Sequence, residues 1–348
     1  MSESQIAVNI VAWHSLAYLP AFFESLNAQT VPLRVTVVDN ASTDGSGTWI
    51  AGNHPHIGML RNMRNYGFAR AHNQAILLAL NFWRDADLSH CYIVVCNPDI
   101  ELDAACLERM FTFMESHPEA DACAPKLLRA HLEFIDVDNK ETVRTNVIDA
   151  TGISFSRALR AYDRGAGEED KKQYDELQDV FGASGALGMY RASSVQKASV
   201  DQQFYDEDFF AYQEDMDAAW RMRHLGMRTV YLPQAVAWHH RRAQSKNKIG
   251  WMEAWKRRRA KPTFINYLSS RNHVWVLVKN LTLKEFWHCA LWLLLYEFAK
   301  FCASLISFSS LKGYFAAIAG LPLMLRKRKR YLKDIVEPFR NQSAWFSK

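Results

Sequence analysis

Residues 6–12, Ile-Ala-Val-Asn-Ile-Val-Ala, form a short apolar run rich in strand formers. An amphipathic stretch over about 16–28 follows, then a second apolar run at 34–38 that stops at Asp39-Asn40. Asp44-Gly45-Ser46 reads as a turn into a helix, with Asp44 as its cap. Residues 57–60 are a weaker third strand, 68–83 carry helical spacing, and 91–96 are another apolar run, ending at Asn97-Pro98-Asp99. Residues 103–117 read as a helix with Asp103 at its N-cap. Short apolar strands alternating with helices predict a mostly parallel, doubly wound α/β sheet. Ligands bind such sheets beyond the carboxyl ends of the strands. A site is therefore expected at Trp13-His14-Ser15, Asp39-Asn40 and Asn97-Pro98-Asp99.

The alternation loosens over about 120–200. Residues 163–179 are charged and polar and predict a mobile surface loop. Residues 181–188, Phe-Gly-Ala-Ser-Gly-Ala-Leu-Gly, either let a backbone approach a ligand or form a tightly packed strand. Residues 214–225 predict a helix closed by Gly226, and 229–232 a strand stopped by Pro233, before 236–238 lead into His239-His240. From about 263 the pattern is helical and very apolar. Glu297, Lys300 and Lys312 divide it into runs of roughly 11 to 13 residues, shorter than the ~20 a spanning helix needs. The cluster Arg326-Lys327-Arg328-Lys329-Arg330 follows. Apolar helices beside a basic cluster fit a peripheral anchor on an anionic membrane surface. The plainer alternative is a helical subdomain packed on the sheet with a solvated basic end.

Charge sharpens this division. The net charge of +5 hides 22 Lys/Arg against 5 Asp/Glu in residues 241–348, a balance of +17 that leaves −12 for residues 1–240. An acidic body joined to a basic tail suggests two jobs. No base-reading motif accompanies the charge, so nucleic acid is not the expected partner. With 15 Gly and 10 Pro in 348 residues, collagenous and largely disordered chains are excluded. The six cysteines show neither CxxC nor zinc spacing and read as reduced core residues of a cytosolic protein. The first residues lack a basic n-region, so no secretory signal is expected.

Four blocks carry the candidate chemistry. They are Val37-Val38-Asp39-Asn40-Ala41-Ser42-Thr43-Asp44-Gly45-Ser46; Asn65-Tyr66-Gly67-Phe68-Ala69, with Asn73; Cys96-Asn97-Pro98-Asp99-Ile100; and residues 206–217, with Trp220-Arg221 and then His239. In this order, over roughly residues 5–242, they resemble the inverting glycosyltransferases of family 2, and within it the bacterial rhamnosyltransferase-like enzymes of cell-surface polysaccharide assembly. The resemblance implies the nucleotide-diphospho-sugar transferase (GT-A) fold over 1–242, with a donor half at about 1–120 and an acceptor half at about 121–242. A basic helical region, 243–348, would complete the chain.

The resemblance also assigns roles. Asp39 would accept a hydrogen bond from the pyrimidine ring of the nucleotide, or else form an Asx turn with Asn40. Asn65 and Arg64 lie where the family's loop approaches the sugar-phosphate, Arg64 being equally readable as a surface charge. Asn97-Pro98-Asp99 stands at the family's Asp-x-Asp motif, with one carboxylate replaced by an amide. Asp99 would hold Mg²⁺ or Mn²⁺ against the diphosphate, and His239 is a second candidate ligand or phosphate contact. Inversion needs one acceptor hydroxyl and one base. Asp215, near a helix N-terminus that favours the ionised form, is the expected base. Glu214 would assist at the acceptor, and Asp217, on another helix face, reads as structural. The first strand departs from the family's Thr-Tyr-Asn-like ending, so Trp13 either stacks on the base or packs. The Gln-x-x-Arg-Trp element of processive synthases is absent, which implies one sugar per encounter. The expected donor is dTDP-L-rhamnose, with UDP-hexose, UDP-N-acetylhexosamine and UDP-galactofuranose as alternatives. The expected acceptor is a polyprenyl-linked glycan at the cytoplasmic face of the cell membrane. A non-catalytic membrane-associated scaffold is the rival reading, supported by Asn97.

Overall fold

The computed structural model describes residues 4–134, 140–240, 262–305, 307–334 and 345. The first third follows the predicted alternation: β1 (Ile6–Ala12), α1 (Leu19–Asn27), β2 (Leu33–Asp39), α2 (Ser46–Asn53), β3 (Gly58–Arg61), α3 (Gly67–Phe82), β4 (Tyr92–Cys96), β5 (Ile100–Leu102) and α4 (Cys106–Ser116). Then come β6 (Ala122–Phe134), β7 (Lys140–Ala150), β8 (Ile153–Phe155), β9 (Ala161–Asp163), β10 (Gln178–Val180), β11 (Leu187–Arg191), α5 (Ala192–Ala198), α6 (Glu214–His224) and β12 (Thr229–His240). Four helices end the described chain: α7 (Thr263–Asn280), α8 (Leu283–Ser304), α9 (Phe308–Ala319) and α10 (Leu321–Tyr331).

One sheet of ten strands has the order β10-β12-β6-β11-β4-β1-β2-β3, with β5 added on β12 and β7 on β6. The strands β3, β2, β1 and β4 are parallel, whereas β11 runs antiparallel to both β4 and β6. The doubly wound expectation thus holds for the first half, and the sheet becomes mixed beyond β4. One face packs Phe22, Phe23, Leu107, Met110 and Met114 from α1 and α4. The other packs Ile76, Ala79, Val195 and Met222 from α3, α5 and α6. Both faces are covered, which is why the central strands are near-continuous apolar runs.

Several local expectations change. The helix expected from Asp103 starts at Cys106, with Ala105 at the cap; Asp103 closes the preceding turn, accepting from the Ala105 amide at 3.3 Å. Gly45, not Asp44, occupies the cap of α2, because only its left-handed φ of 92° makes the turn. Asp44 sits one residue earlier and still accepts from the Ser46 amide (3.0 Å) and from Leu16 (3.0 Å). Pro233 does not stop the last strand. It falls within a register shift between Leu232 and Val236, after which β12 pairs again with β6. Residues 163–179 are on the surface but tied down: the buried Lys126 ammonium reaches Asp170 (2.9 Å) and Asp175 (2.5 Å).

The tail differs most. Charge does not divide it where expected, since α8 runs unbroken through Glu297 and Lys300, and Glu297 pairs with His273 at 2.6 Å. The breaks fall instead around Thr282, Ser307 and Gly320. No single described helix is long and apolar enough to cross a membrane; α9 and α10, bent by 56°, meet the length and composition requirement only as a pair. Trp275, Val276, Cys289, Leu293, Ala317 and Met324 share one apolar core with Phe155, Phe181, Phe209 and Trp220. The basic end is not simply solvated. Lys327 binds Asp206 and Asp208, Arg330 binds Asp201, and Arg328 donates to the Val278 carbonyl. Five of the six cysteines are buried, as a reduced core requires, but Cys302 is exposed.

Candidate active site

The carboxyl ends of β1, β2, β3 and β4 meet at one edge of the sheet, and the predicted polar clusters lie there. Asp39 pairs in register with Ala12 on one side and Arg61 on the other. Its fully buried carboxylate accepts from the Ser42 amide at 2.9 Å and pairs with Arg61 at 3.2 Å. A Cβ on Gly47 would overlap this carboxylate, so the start of α2 closes over it. Oδ1 thus holds the turn at Ser42, and Oδ2 pairs with the exposed Arg61. Trp13 is 53% exposed and stacks on His14 with ring centres 4.8 Å apart. It is presented to solvent at the mouth rather than packed into the core.

Asn65 works first as scaffold. Its Oδ1 accepts from the Asn40 side chain and from the Gly67 amide, both at 2.8 Å. The buried Asn40 also accepts from Asn62 (3.1 Å) and from the Tyr66 amide (3.0 Å), so it knits the second and third strand ends together. Arg64 stays exposed, its guanidinium 5.0 Å from the Tyr66 ring centre.

The Asn97-Pro98-Asp99 turn is anchored by bonds from the Asn97 amide to the Ala186 carbonyl and from the His240 amide to the Asp99 carbonyl, each 2.9 Å. Asp99 Oδ1 lies 3.4 Å from His239 Nε2, and His239 Nδ1 lies 2.8 Å from Asp149 Oδ2. Asp149 is fully buried and also meets Arg129 at 3.5 Å. Burial lowers the affinity of His239 for a proton, but hydrogen bonds and charge from Asp149 and Asp99 outweigh it and push its pKa up to about 9. A carboxylate behind a histidine is the usual way to fix the tautomer of a metal ligand. Asp99 Oδ1 is buried, and its 3.4 Å approach to His239 Nε2 is a loose one. No group of three or more His, Cys, Asp or Glu able to hold an ion occurs among the described residues. Two donors suit a cation that takes its remaining ligands from a diphosphate and water; the residues fit such a group once the cation displaces the second proton that Asp149 and Asp99 hold on His239.

Asp215 bonds to the chain next to the anchor of that turn. Its Oδ2 accepts from the Gly185 amide at 3.2 Å, one residue from the Ala186 carbonyl that holds Asn97. Gly185 carries no Cβ, and one there would lie 3.2 Å from that oxygen. In the small-residue stretch 181–188 the packed-strand reading holds for β11, and its lead-in brings the Gly185 amide to the Asp215 carboxylate. Asp215 follows a strained approach. Phe210, Tyr212 and Gln213 have φ of 67°, 71° and 74°, each costing about 1–3 kcal/mol in a non-glycine residue. Strain of this kind collects at functional sites.

The expected ionising effect of the helix N-terminus does not prevail. Burial raises the Asp215 pKa above the carboxylate norm, although amide bonds from Gly185 and Met216 oppose it. Burial, and then the charge of Asp215, raise Glu214 well above its norm. Of the two, Glu214 is the better proton holder, with Oε2 buried and unpartnered among the described residues. Asp215 ionises the more readily of the two, because the Gly185 and Met216 amides favour its charged form. Asp217 is structural, as its helix face implied: it binds Lys279 (2.7 Å) and Asn280 (2.8 Å) and is fully buried.

The profile of "Glycosyl transferase family 2" matches residues 7–198, more than half of the chain. The chain belongs to glycosyltransferase family 2. This nucleotide-sugar glycosyltransferase is 25% identical over 232 residues to an N-acetylglucosaminyl-diphospho-decaprenol L-rhamnosyltransferase of Mycobacterium tuberculosis, covering 64% of the chain and 72% of the relative. Its fold is that of S. aureus TarS residues 1–349, with a TM-score of 0.50 at 14% identity over 94% of the chain and 82% of that structure. The chain spans 41% of the longer TarS chain. A mannosyltransferase of Pyrobaculum calidifontis, solved with GDP-Man and Mn²⁺, matches at a TM-score of 0.47 and 13% identity, over 99% of the chain and 88% of that structure.

The transferase's sequence did not disclose every site residue. Asp149, 90 positions before His239, had no local signal, since only the register of β7 on β6 and β6 on β12 brings it there. Arg61 had one, standing at the end of the third apolar run as Asp39 ends the second.

Proposed function

We propose that this transferase moves L-rhamnose, with inversion, from dTDP-L-rhamnose to a polyprenyl-diphospho-linked N-acetylglucosamine acceptor at the cytoplasmic face of the cell membrane. One observation carries the chemistry: Asp215 and the Asn97-Pro98-Asp99 turn converge on the adjacent residues Gly185 and Ala186. This proximity supports the reading of Asp215 as a base working near a diphosphate-facing turn, with attack from the face away from the leaving group. The choice of donor and acceptor leans on the mycobacterial relative's name and on the motif resemblance.

In this reading Asp39 faces the thymine ring, with Trp13 beside it. Asp99 and His239 would hold Mg²⁺ or Mn²⁺, whose charge would offset that developing on the departing dTDP. Asp215 takes the proton of the acceptor hydroxyl as that oxygen bonds to the anomeric carbon. Glu214, protonated, donates a hydrogen bond within the acceptor site rather than competing as a second base.

The membrane position is supported by α8. Leu283, Trp287, Leu291, Leu294 and Phe298 recur on one face at helical spacing and are 58–74% exposed. Apolar area of this kind marks a binding surface, and the exposed Arg326 and Lys329 suit anionic lipid.

A thermal-shift panel of dTDP, UDP, GDP and their sugars, each with and without Mn²⁺ or Mg²⁺, tests the donor. A metal-dependent rise with dTDP is expected, because a ligand that binds only the native state stabilises it. A rise with UDP alone would move the donor to a UDP-sugar. Asp215→Asn should lower transfer by about 10²–10⁴-fold while dTDP binding persists; full activity in that variant would remove the base assignment.

A further inference from the structure

The loop delivering Asp215 is held largely from the C-terminal helices. Phe210, with φ 67° and ψ −66°, lies in the strained γ-turn region, and the Ala211 amide bonds back to the Phe209 carbonyl at 2.8 Å. Tyr212 and Gln213 are both left-handed, and α6 begins at the next residue. A run of this shape turns several carbonyls inward. Three of them, on Phe209, Ala211 and Tyr212, meet the single Nδ2 of Asn272 at 2.8, 2.9 and 2.8 Å. Oxygens so gathered repel one another unless a donor stands between them.

Asn272 is itself fixed. It is fully buried on α7. Arg271 Nε donates to its Oδ1 at 2.9 Å, which sets the amide so that Nδ2 faces the loop. Arg271 Nη2 also reaches the Asp208 and Phe209 carbonyls, at 2.9 and 3.0 Å. Further along α7, Lys279 bridges Asp206 and Asp217, which stand on either side of the loop. Behind α7, a Cβ on Gly313 would crowd the Tyr267 carbonyl and one on Gly320 would overlap the Trp275 indole, so α9 and α10 back the helix closely.

We propose that Asn272 is a positioning residue for sugar transfer: by collecting these three carbonyls on one amide nitrogen, it fixes the left-handed loop that sets Asp215 against Gly185. The inference rests on the reading of Asp215 as base, and extends it to a residue more than 50 positions away that touches no substrate. The C-terminal helices are then part of the catalytic framework as well as a docking surface.

The test uses the full chain and the variants Asn272→Ala, which removes the donor, and Asn272→Asp, which keeps the shape but places an oxygen before three oxygens. Three readouts are needed: dTDP affinity, steady-state transfer from dTDP-L-rhamnose to a short-chain polyprenyl-diphospho-N-acetylglucosamine, and hydrogen exchange of the peptide covering 207–216. The expected result is dTDP affinity within about threefold of wild type, exchange at 207–216 accelerated at least about tenfold, and kcat lowered by about 100-fold at little-changed donor KM. Asn272→Asp should be the worse of the two. Wild-type exchange in that peptide, or wild-type kcat with accelerated exchange, would overturn the proposal. If neither variant folds, Arg271→Lys carries the test, since it keeps the charge but loses the fork; it should show the same split at smaller size, and wild-type behaviour there overturns the proposal. A wild-type protein that transfers no sugar from any donor in the panel defeats the functional reading instead, and the exchange comparison still decides whether Asn272 holds the loop.

Discussion

Replacing Lys279 with Met removes a buried cation and leaves a side chain of similar length. The lysine is 5% exposed and stands 2.6 Å from Asp206 and 2.7 Å from Asp217, which are 5% and 0% exposed. Deleting one partner of a buried ion pair costs about 3–5 kcal/mol, because the other charge stays buried and uncompensated. Here the loss is cushioned. Asp206 keeps Lys327 at 2.5 Å, and Asp217 keeps Asn280 at 2.8 Å and Arg221 at 3.5 Å. The lower end, about 3 kcal/mol, is therefore expected.

The pH dependence is the sharper part. Burial opposes ionisation of Asp206, but the charges of Lys279 and Lys327 overcome it and hold its carboxyl well below the usual range. A carboxylate depressed in this way gives stability that is present above its unfolded pKa and lost as pH falls through the folded one. Wild type therefore keeps most of this contribution at pH 4.5. The variant, in which Asp206 has lost one of its two cations, takes up a proton there more readily in its native state and partly relieves its defect. Urea unfolding of the full chain at pH 7 and 4.5 should show a deficit of about 3 kcal/mol that narrows by about 1 kcal/mol or more on acidification. A deficit below about 1 kcal/mol at pH 7, or one that does not narrow, would refute the view that this bridge joins the tail to the body.

Because burial raises Asp215, the acidic limb of kcat/KM should lie above the ordinary carboxylate range, with activity rising as pH increases through it; a limb at the solution value for Asp would contradict a buried base. Gly67→Ala places a Cβ on a residue of φ 84° against the Phe210 carbonyl and ring, so a loss of about 2 kcal/mol and looser exchange at 207–213 are expected. Trp287→Asp combined with Leu291→Asp should reduce co-sedimentation with phosphatidylglycerol vesicles at least about tenfold while dTDP binding stays intact; unchanged sedimentation would argue that α8 docks on something other than lipid.

The strand ends were legible because each apolar run of a buried parallel strand stops where the chain turns polar, and Asp39 and Asp99 stand at those stops. The candidates Glu214 and Asp215 were legible by motif, but their environment was not. A helix N-terminus can be inferred at 214–217, whereas the burial that outweighs it comes from distant segments. Asp149 and Asn272 act through partners 90 and about 60 positions away, so no local pattern marks them. The charge asymmetry was visible, and its meaning was only half seen. Part of the positive tail answers the negative body directly, through Lys279, Lys327 and Arg330.

The register shift on β12 sets a parity. Residues 233–235 have no partners on β6, so the strand leaves the bulge an odd number of residues out of step. Neighbouring residues on a strand face opposite sides, and beyond this step His239 meets Asp99 and Asp149 while His240 meets Glu101. A deletion within 233–235 that shifted the pairing of 236–240 by one position would exchange the two histidines between the faces without altering either one. The chemistry of this edge is written as a count of residues in a bulge as much as in the identity of its side chains.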